Sequence, residues 1–377
     1  MAILQKSMKE DLKMCKNILI ISHGAALGGS PISALNIGRF INKKEFNPIF
    51  VFGEDGPIVD VVKKEGFEVY IVKKRGFLSF PFLYDFIQLI KKKNIDLIHL
   101  NTLTSYYKYP AIAAKILSKK IVWFVRENPE EKRCVKLSKY INNYSHKIVT
   151  VSYDTAEHMY YADKNKLITI HNGINLDFNN DVNKQESYNI LQLESDFEYI
   201  TTIASLEPRK GILELIDSFS LIHTIIDSNI KLLIVGKDRT SNQMYLKEIE
   251  KRIVENNLQE KVIIYGESNK IKEIMSISKI FTLNAYWEGL SRVLLEAMVC
   301  NKPILASFNG GNKEQVINGF NGYTFEAGDV KELSELIVKI LNSDLKLFGD
   351  NSRKLLCEKF DIKQTTIKIE NLYKSLL

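Results

Sequence analysis

Apolar runs of strand length alternate with helix-like segments along most of the chain, and this alternation restricts its fold more than any other feature. The first run, residues 17–22, is almost continuously apolar, as in a strand that is buried on both faces of a parallel sheet. Helical patterns such as 82–93 and 105–117 separate most of the later runs. These later runs lie at residues 48–52, 68–72, 97–100, 121–125, 147–151 and 167–170. The pattern predicts a doubly wound α/β domain.

A polar stretch at residues 175–188 interrupts the alternation, and we interpret it as a linker between two domains. Strand-like runs then resume at residues 199–204, 231–235, 261–265, 279–283 and 303–306. A chain of 377 residues is also long for a single core. We therefore expect an extension at 1–16, a first domain at 17–178 and a second α/β domain at 186–359.

The composition argues against several classes of protein. The four cysteines lie far apart and form no Cys-x-x-Cys pair, which argues against a zinc site or a disulfide framework and fits a reducing cytoplasm. No run of eighteen apolar residues is present, so we expect no membrane-spanning helix. Residues 1–16 have mixed charge and lack the apolar core of a signal peptide.

The chain has a formal net charge of +7, with basic clusters at residues 73–75, 91–93 and 119–120. Nucleic acid, an anionic membrane and a phosphorylated substrate are three partners that such a charge allows. No nucleic-acid-binding motif accompanies the charge, so nucleic acid ranks last. Most of these lysines also fit solvated helix ends.

A predicted strand-to-helix turn contains Glu288, Gly289 and Leu290, between the strand at 279–284 and a helix at 291–300. Unpaired backbone N–H groups and the positive end of the helix dipole make such a turn a seat for phosphate. Glu288 in the turn and Glu296 in the helix would place one carboxylate on each side of it. This arrangement suits a nucleotide sugar, although the spacing alone favours the simpler interpretation, an ordinary amphipathic helix.

The residues around this pair resemble the signature of a known enzyme family. The run Glu-Gly-Leu-Ser-Arg-Val-Leu-Leu-Glu-Ala-Met, residues 288–298, is similar to the Glu-x7-Glu motif of retaining GT-B glycosyltransferases of family 4, the group 1 glycosyl transferases. The similarity continues through 302–306, Gly310-Gly311 with Glu314, and 318–322, with Asn301 where the family usually has Gly. The resemblance implies two Rossmann-like domains that face each other across a cleft. It also implies that the final segment, 360–377, crosses back to the first domain.

The resemblance assigns most of the donor-binding roles to residues of the second domain. Lys210 matches the family's phosphate-binding cation, and Arg209 is expected to replace the Arg that the family often has at Ser205. Glu288 is expected to hold hydroxyls of the transferred sugar. The resemblance therefore implies Glu288, Arg209 and Lys210 as the catalytic residues, with no metal ion and no cofactor. The expected donor-binding residues are Gly28, Gly29, Ser205, Gly289, Leu290, Ser291, Glu296, Tyr265 and Gly266.

The first domain is expected to carry the acceptor side. Many family members have a His near residues 123–127 that contacts the transferred sugar, whereas this chain has Arg126 and Glu127 there. We assign Arg126, Glu127 and His23 to the acceptor or the sugar. His171, in the Asn-Gly turn between the domains, is expected to be structural.

The resemblance thus implies transfer of a hexose or N-acetylhexosamine from a nucleotide-diphosphate sugar to an acceptor hydroxyl, with retention of anomeric configuration. Among nucleotide sugars, a UDP-sugar is the expected donor. Assembly of bacterial cell-surface polysaccharide or glycolipid is the expected setting. A catalytically silent subunit that binds sugar nucleotides on the same fold is the alternative. Three cations and several aromatic residues at 73–84 lead to a further hypothesis, docking of a cytoplasmic enzyme to the inner face of the cell membrane. A loop followed by a buried helix is the simpler interpretation of that segment.

Overall fold

A computed structural model of the protein describes residues 15–74, 80–128 and 131–377, with the side chains of 131–134 excepted. Of the predicted extension at 1–16, only Cys15 and Lys16 lie within this range, and Lys16 begins the first strand. Residues 75–79 of the basic and aromatic segment also lie outside it. None of the described helices is long and apolar enough to cross a bilayer.

The described chain divides into two compact units. The first contains the residues up to Val151, together with Ala156–Ile170 and Lys363–Leu377. The second contains Ser152–Thr155 and His171–Ile362. The polar stretch at 175–188 contains a short 3-10 turn, Leu176–Asn179, and the start of a helix that Asn183 caps through its side chain.

The first unit is built on a parallel sheet of seven strands in the order β3-β2-β1-β4-β5-β6-β7. The strands are β1 Lys16–Ser22, β2 Phe46–Phe52, β3 Glu68–Ile71, β4 Leu97–Asn101, β5 Lys120–Val125, β6 Lys147–Thr150 and β7 Leu167–Thr169. The helices along this part of the chain are α1 Gly29–Phe40, α2 Pro57–Lys64, α3 Phe80–Lys92, α4 Lys108–Ile116, α5 Glu131–Tyr144 and α6 Tyr153–Glu157. Buried aliphatic side chains on both faces of the sheet explain why its strands are so uniformly apolar.

The second unit contains a parallel sheet of six strands in the order β10-β9-β8-β11-β12-β13. The strands are β8 Glu198–Ile203, β9 Ile230–Val235, β10 Val262–Gly266, β11 Ser278–Leu283, β12 Ile304–Ser307 and β13 Gly322–Phe325. The helices are α7 Lys184–Leu191, α8 Ile212–Ser220, α9 Met244–Glu255, α10 Ile271–Ile277, α11 Arg292–Val299, α12 Asn312–Gln315, α13 Val330–Leu341 and α14 Leu345–Lys359. Asn301, just after α11, has a φ of 54°, the left-handed conformation in which Asn replaces Gly at low cost.

The last helix, α15 Ile362–Lys374, is part of the first unit from Lys363 onward. Its residues Ile369 and Tyr373 are buried in the core of that unit. The Tyr373 hydroxyl lies 2.6 Å from Nδ1 of the buried His99 on β4. The end of the chain therefore completes the core of the domain in which the chain begins.

Each sheet has a point where the strand order reverses, between β1 and β4 in the first unit and between β8 and β11 in the second. The connections on either side of such a point leave in opposite directions, which opens a crevice beyond the C-terminal ends of the two strands. The loops after β8 and β11 meet at one of these crevices. The loops after β1 and β4 meet at the other. These two loop pairs contain most of the residues that the sequence singles out.

Candidate active site

The loops after β8 and β11 are joined through their backbones. Tyr286 N donates to Arg209 O at 2.9 Å, and Asn284 Nδ2 donates to Gly211 O at 2.9 Å. Gly211 has a φ of +59°, and a Cβ there would lie 2.3 Å from the Asn284 carbonyl oxygen, so only glycine fits. This junction holds Lys210 opposite Glu288, a pairing between residues that are 78 positions apart in the chain.

Lys210 and Glu288 form an ion pair through Nζ and Oε1. Their side chains are only 10% and 17% exposed, so water screens the pair less than it would on the surface. Nη1 of Arg209 lies 4.0 Å from the same carboxylate oxygen. The three residues predicted to be catalytic are therefore in one cluster. Lys210 and Arg209, which are expected to bind phosphate, therefore face the Glu288 carboxylate, which is expected to bind the sugar.

Ser205 does not face the centre of this cluster. Its hydroxyl donates to Oε1 of Glu207 at 2.5 Å, and Nη2 of Arg209 lies 2.7 Å from the same oxygen. Burial alone would raise the pKa of the Glu207 carboxyl, but the Ser205 hydroxyl and the Arg209 guanidinium outweigh it and lower that pKa. Ser205 thus acts on Arg209 through Glu207, a link that the sequence did not indicate.

The turn before α11 has fewer available amides than the sequence suggests. Ser291 N donates to Oε1 of Gln315 at 3.0 Å, and Nε2 of Gln315 donates back to Ser291 O at 2.8 Å. The N–H groups of Gly289 and Leu290 have no protein acceptor among the described residues. These two amides, rather than three, are available to an anion, and Gln315 is a buried residue that the sequence analysis missed.

Gly310 and Gly311 pack directly on this turn. Gly310 has a φ of +63°, and a Cβ there would lie 1.8 Å from the carbonyl oxygen of Glu288. Gly311 N donates to Gly289 O at 3.0 Å. The two glycines therefore set the backbone position of Glu288 and Gly289, which explains in physical terms why this pair accompanies the Glu-x7-Glu motif.

Glu296 lies on α11 and is 8% exposed. Burial raises the pKa of its carboxyl, and Arg292, whose Nε donates to Oε1 at 3.0 Å, acts in the opposite direction. The two glutamates thus have different partners, Lys210 for Glu288 and Arg292 for Glu296. This difference is compatible with separate roles for the two carboxylates.

Tyr265 and Gly266 lie at the end of β10, two strands away from β8. Gly266 O accepts from Gly236 N at 2.8 Å, and burial raises the pKa of the Tyr265 phenol. Within the described residues, no hydrogen bond or ion pair connects them with the Lys210–Glu288 cluster. They lie at the same C-terminal edge of the sheet but outside that cluster.

The candidate residues of the first unit lie beyond β1, β4 and β5. Gly28 precedes α1 and its carbonyl oxygen accepts from Ile32 N at 3.1 Å. His23 follows β1, and its Nδ1 lies 3.3 Å from the hydroxyl of Tyr107. Desolvation lowers the pKa of His23, while the carboxylates of Glu127 and Glu54 act to raise it.

Arg126 and Glu127 follow β5 and have different environments. Arg126 is buried, and its Nε donates to Oδ1 of Asn101. Desolvation lowers the pKa of its guanidinium to about 10, so the side chain stays charged at neutral pH. Glu127 is exposed, and its Oε1 accepts from the Thr102 hydroxyl at 3.1 Å. Arg126 is thus hydrogen-bonded to Asn101, the last residue of β4, and Glu127 to Thr102, the residue after it. Neither Asn101 nor Thr102 was predicted from the sequence.

His171 has a structural environment. Its Nε2 lies 2.7 Å from Oε2 of Glu314, and its ring contacts Tyr153 and Phe360 edge to face. The other carboxylate oxygen of Glu314 accepts the backbone N–H of Tyr153 at 2.9 Å. All four residues belong to the second unit. No group of three or more His, Cys, Asp or Glu side chains suited to a metal ion occurs among the described residues.

Comparison with known proteins identifies two family models along the chain. The model described as Glycosyl transferases group 1 matches residues 183–358, and the model described as Glycosyltransferase Family 4 matches residues 27–178. The matched segments together include nearly every candidate site residue. His23 lies just before the first of them.

Individual relatives agree with these models. The capsular polysaccharide biosynthesis glycosyltransferase CapH of Staphylococcus aureus is 25% identical over 363 residues, which cover 92% of this chain and 96% of that protein. A UDP-Gal:alpha-D-GlcNAc-diphosphoundecaprenol alpha-1,3-galactosyltransferase of Escherichia coli is 27% identical over 219 residues, 56% of this chain and 55% of that protein.

A solved structure establishes the fold independently of sequence. Anabaena Alr3699/HepE, determined in complex with UDP-glucose, superposes with a TM-score of 0.86 at 19% identity. The match covers 96% of this chain and 100% of that one. The expected α/β architecture of two Rossmann-like domains, the GT-B fold, is confirmed.

Proposed function

Because the chain belongs to the family 4, group 1 glycosyltransferases, we propose that it transfers a sugar from a nucleotide-diphosphate sugar to an acceptor hydroxyl with retention of anomeric configuration. The observation that carries the proposal is the cluster of Lys210, Arg209 and Glu288 beside the Gly289 and Leu290 amides. Cations and free N–H groups suit a diphosphate, and a carboxylate next to them suits sugar hydroxyls.

The donor binds by exchange of partners in this cluster. The diphosphate takes Lys210 and Arg209, and this releases the Glu288 carboxylate from its ion pair. Glu288 then accepts hydrogen bonds from hydroxyls of the transferred sugar, and Glu296 accepts those of the ribose. Because the Glu288 side chain is already only 17% exposed, its carboxylate needs little further desolvation when the sugar arrives.

The reaction is a front-side displacement through an oxocarbenium-like state. The bond from the anomeric carbon to the diphosphate oxygen breaks, and the acceptor oxygen forms its bond on the same face. The acceptor proton passes to the departing diphosphate oxygen, so neither glutamate acts as a nucleophile. Lys210, Arg209 and the two amides stabilise the negative charge that develops on the leaving group, the role that a metal ion has in other transferases.

A UDP-sugar is the proposed donor, and a glycan or lipid-linked glycan of cell-surface assembly is the proposed acceptor. Support comes from Alr3699/HepE, whose structure contains UDP-glucose, and from the capsular polysaccharide relative. On the acceptor side we assign His23, Arg126 and Glu127, whereas Gly28 and Gly29 keep their expected donor-binding role. The transferred sugar is a hexose or an N-acetylhexosamine, and the enzyme is placed in the cytoplasm.

Docking to the inner face of the cell membrane is part of this proposal. Lys73 and Lys74 are exposed, and at the start of α3 the side chains of Phe80 and Tyr84 are 78% and 60% exposed. Phe82, in contrast, is fully buried in the core. Two exposed aromatics that follow two exposed lysines within a dozen positions of the chain suit the interface of an anionic bilayer, where each basic residue contributes about 1 kcal/mol.

Vesicle sedimentation tests the docking step. Binding should require anionic lipid, weaken as salt is added and decrease for the double variant Lys73→Glu/Lys74→Glu. Lys91→Glu/Lys92→Glu, at the other end of α3, makes the same charge change away from the aromatics and serves as the control. Equal losses for the two double variants would mean that the exposed aromatics do not define a docking site.

The activity itself is tested with a panel of nucleotide sugars. Thermal shift identifies the donor, because a ligand that binds only the folded state raises the melting temperature. Release of UDP from that donor is then measured with and without acceptor extracts. Stimulation by an extract, with formation of a glycosylated product, supports the transferase. Tight donor binding without turnover under any condition would instead identify a catalytically silent subunit.

A further inference from the structure

Asn101 and Thr102 stand at the point where the strand order of the first sheet reverses. Asn101 is the last residue of β4, and Thr102 follows it. Asn101 is completely buried and Thr102 is 4% exposed. Buried polar side chains destabilise a fold unless their hydrogen bonds are satisfied, so the partners of these two residues indicate what they do.

The Asn101 amide connects two loops with candidate site residues. Its Nδ2 lies 3.1 Å from Ser22 Oγ and 3.0 Å from both Ser30 O and Ser30 Oγ. Its Oδ1 accepts from Nε of Arg126. An arginine can only donate, so it determines the orientation of the amide, with oxygen toward Arg126 and nitrogen toward the serines. Ser30 directly follows the Gly28-Gly29 loop.

Thr102 has a strained backbone conformation, and its hydroxyl donates to the Glu127 carboxylate. Its φ is 103°, a left-handed value that a β-branched residue rarely adopts. Trp123 Nε1 donates to its carbonyl oxygen at 3.0 Å, and its own N–H donates to Phe124 O at 2.9 Å. In this conformation its hydroxyl reaches Oε1 of Glu127 at 3.1 Å. Strain of this kind persists where the surrounding structure enforces it, and here two hydrogen bonds do so.

We propose that Asn101 and Thr102 are positioning residues, in which the Asn101 amide fixes the Arg126 guanidinium and the Thr102 hydroxyl fixes the Glu127 carboxylate. The two side chains have separate supports because their environments differ: Arg126 is buried, whereas Glu127 is exposed. The inference relies on the proposed function only for the contact of Arg126 and Glu127 with a sugar. The positioning itself is a property of the first unit.

The first experiment measures positioning without any substrate. In protein labelled with ¹⁵N-arginine, the Nε–H of Arg126 should give a signal that exchanges slowly with water, identified by its loss in Arg126→Lys. Asn101→Ala should shift this signal and accelerate its exchange about tenfold or more. Asn36→Ala is the matched control, since Asn36 is also a buried asparagine that accepts from an arginine, Nη1 of Arg39 at 2.9 Å.

The second experiment is a double-mutant cycle on UDP release from UDP-glucose or from the UDP-sugar that gives the largest thermal shift. Asn101→Ala should lower kcat/KM about tenfold to a hundredfold, the usual effect of losing a hydrogen bond to a charged group. In an Arg126→Ala background the same substitution should cost less than about twofold, because its effect passes through Arg126. Asn36→Ala should leave kcat/KM nearly unchanged.

Thr102 has its own pair of variants. Thr102→Val keeps the shape and removes the hydroxyl, and it should lower kcat/KM, whereas Thr102→Ser keeps the hydroxyl and should retain most of the activity. Asn101→Asp is the reserve variant if Asn101→Ala does not fold. It keeps the acceptor for Arg126, so the slowly exchanging signal should remain.

The outcomes separate the two hypotheses. An Arg126 signal that is unchanged in Asn101→Ala overturns the positioning proposal whatever the enzyme does. Fully additive losses in the cycle also overturn it. A shifted signal together with normal kinetics of Arg126→Ala supports positioning and refutes the sugar contact of Arg126 instead.

Discussion

Replacing Glu288 by Gln should tighten the binding of UDP while it slows transfer. In the structure the carboxylates of Glu207 and Glu288 face the two cations of Arg209 and Lys210, and the four formal charges cancel. Glu288→Gln leaves this cluster with one net positive charge. The diphosphate then no longer competes with a carboxylate for Lys210.

The magnitude follows from the geometry of the cluster. Two unit charges 4.0 Å apart, the distance from Arg209 Nη1 to Glu288 Oε1, attract by about 4 kcal/mol at an effective dielectric constant of about 20. Most of such a gross attraction is offset by the desolvation of the ions, so a net effect of about 1–1.5 kcal/mol is expected. This corresponds to a dissociation constant for UDP that is roughly tenfold lower. Turnover should fall about tenfold or more, because an amide accepts sugar hydroxyls less strongly than a carboxylate.

Titration calorimetry with UDP and steady-state release of UDP from the donor measure the two effects separately. Glu207→Gln is the matched control, since it makes the same charge change on the side of Arg209 away from Glu288. It should also tighten UDP but slow turnover less. Unchanged or weaker UDP binding by a folded Glu288→Gln protein would refute the exchange of partners.

Three further predictions concern the same cluster and its supports. Arg209→Ala and Lys210→Ala should each slow transfer about tenfold to a hundredfold, and together they should nearly abolish it. If the double variant still binds UDP, GDP and ADP normally, the phosphates bind elsewhere. Gly310→Ala should lower turnover strongly, whereas Gly319→Ala, which has a similar φ of +75° but open space around the position, should cost only stability, about 1–2 kcal/mol by denaturant unfolding. Burial raises the pKa of Glu296, so the ionised carboxylate destabilises the folded protein above that pKa, and this destabilisation disappears as the pH falls through it. Glu296→Gln should therefore raise the melting temperature of the ligand-free protein by about 1–3 °C at pH 7.5 and by less at pH 5. The same variant should weaken UDP binding.

The repeating pattern of the sequence was sufficient to predict the fold class. A strand buried in a parallel sheet must be apolar along its whole length, and the crossover that follows it must be long enough for a helix, so the alternation is visible residue by residue. Every predicted strand run corresponds to a strand of the structure. Residues 291–300 likewise contain α11, with Ser291 as its N-cap. The strand pattern and the helix pattern both depend only on residues that lie within a few positions of each other in the sequence.

The arrangement of the site was only partly predictable. Glu288, Arg209 and Lys210 were identified by their resemblance to a family motif, and the structure places them in one cluster. The occupation of the Ser291 amide by Gln315 was not predicted, and neither was the redirection of Ser205 toward Glu207. In each case the deciding partner is a side chain whose direction the local sequence does not reveal.

The strands, the helices, the glycines at tight turns and the residue types suited to a diphosphate and a sugar are all visible in the amino-acid sequence. Which of these residues meet depends on the folded chain. Lys210 reaches Glu288 because β8 and β11 are neighbours in the second sheet, and Arg126 reaches Asn101 because β4 and β5 are neighbours in the first. Strand order comes from the packing of whole crossover units over one core, to which every buried residue contributes a little, so no short stretch of sequence encodes it.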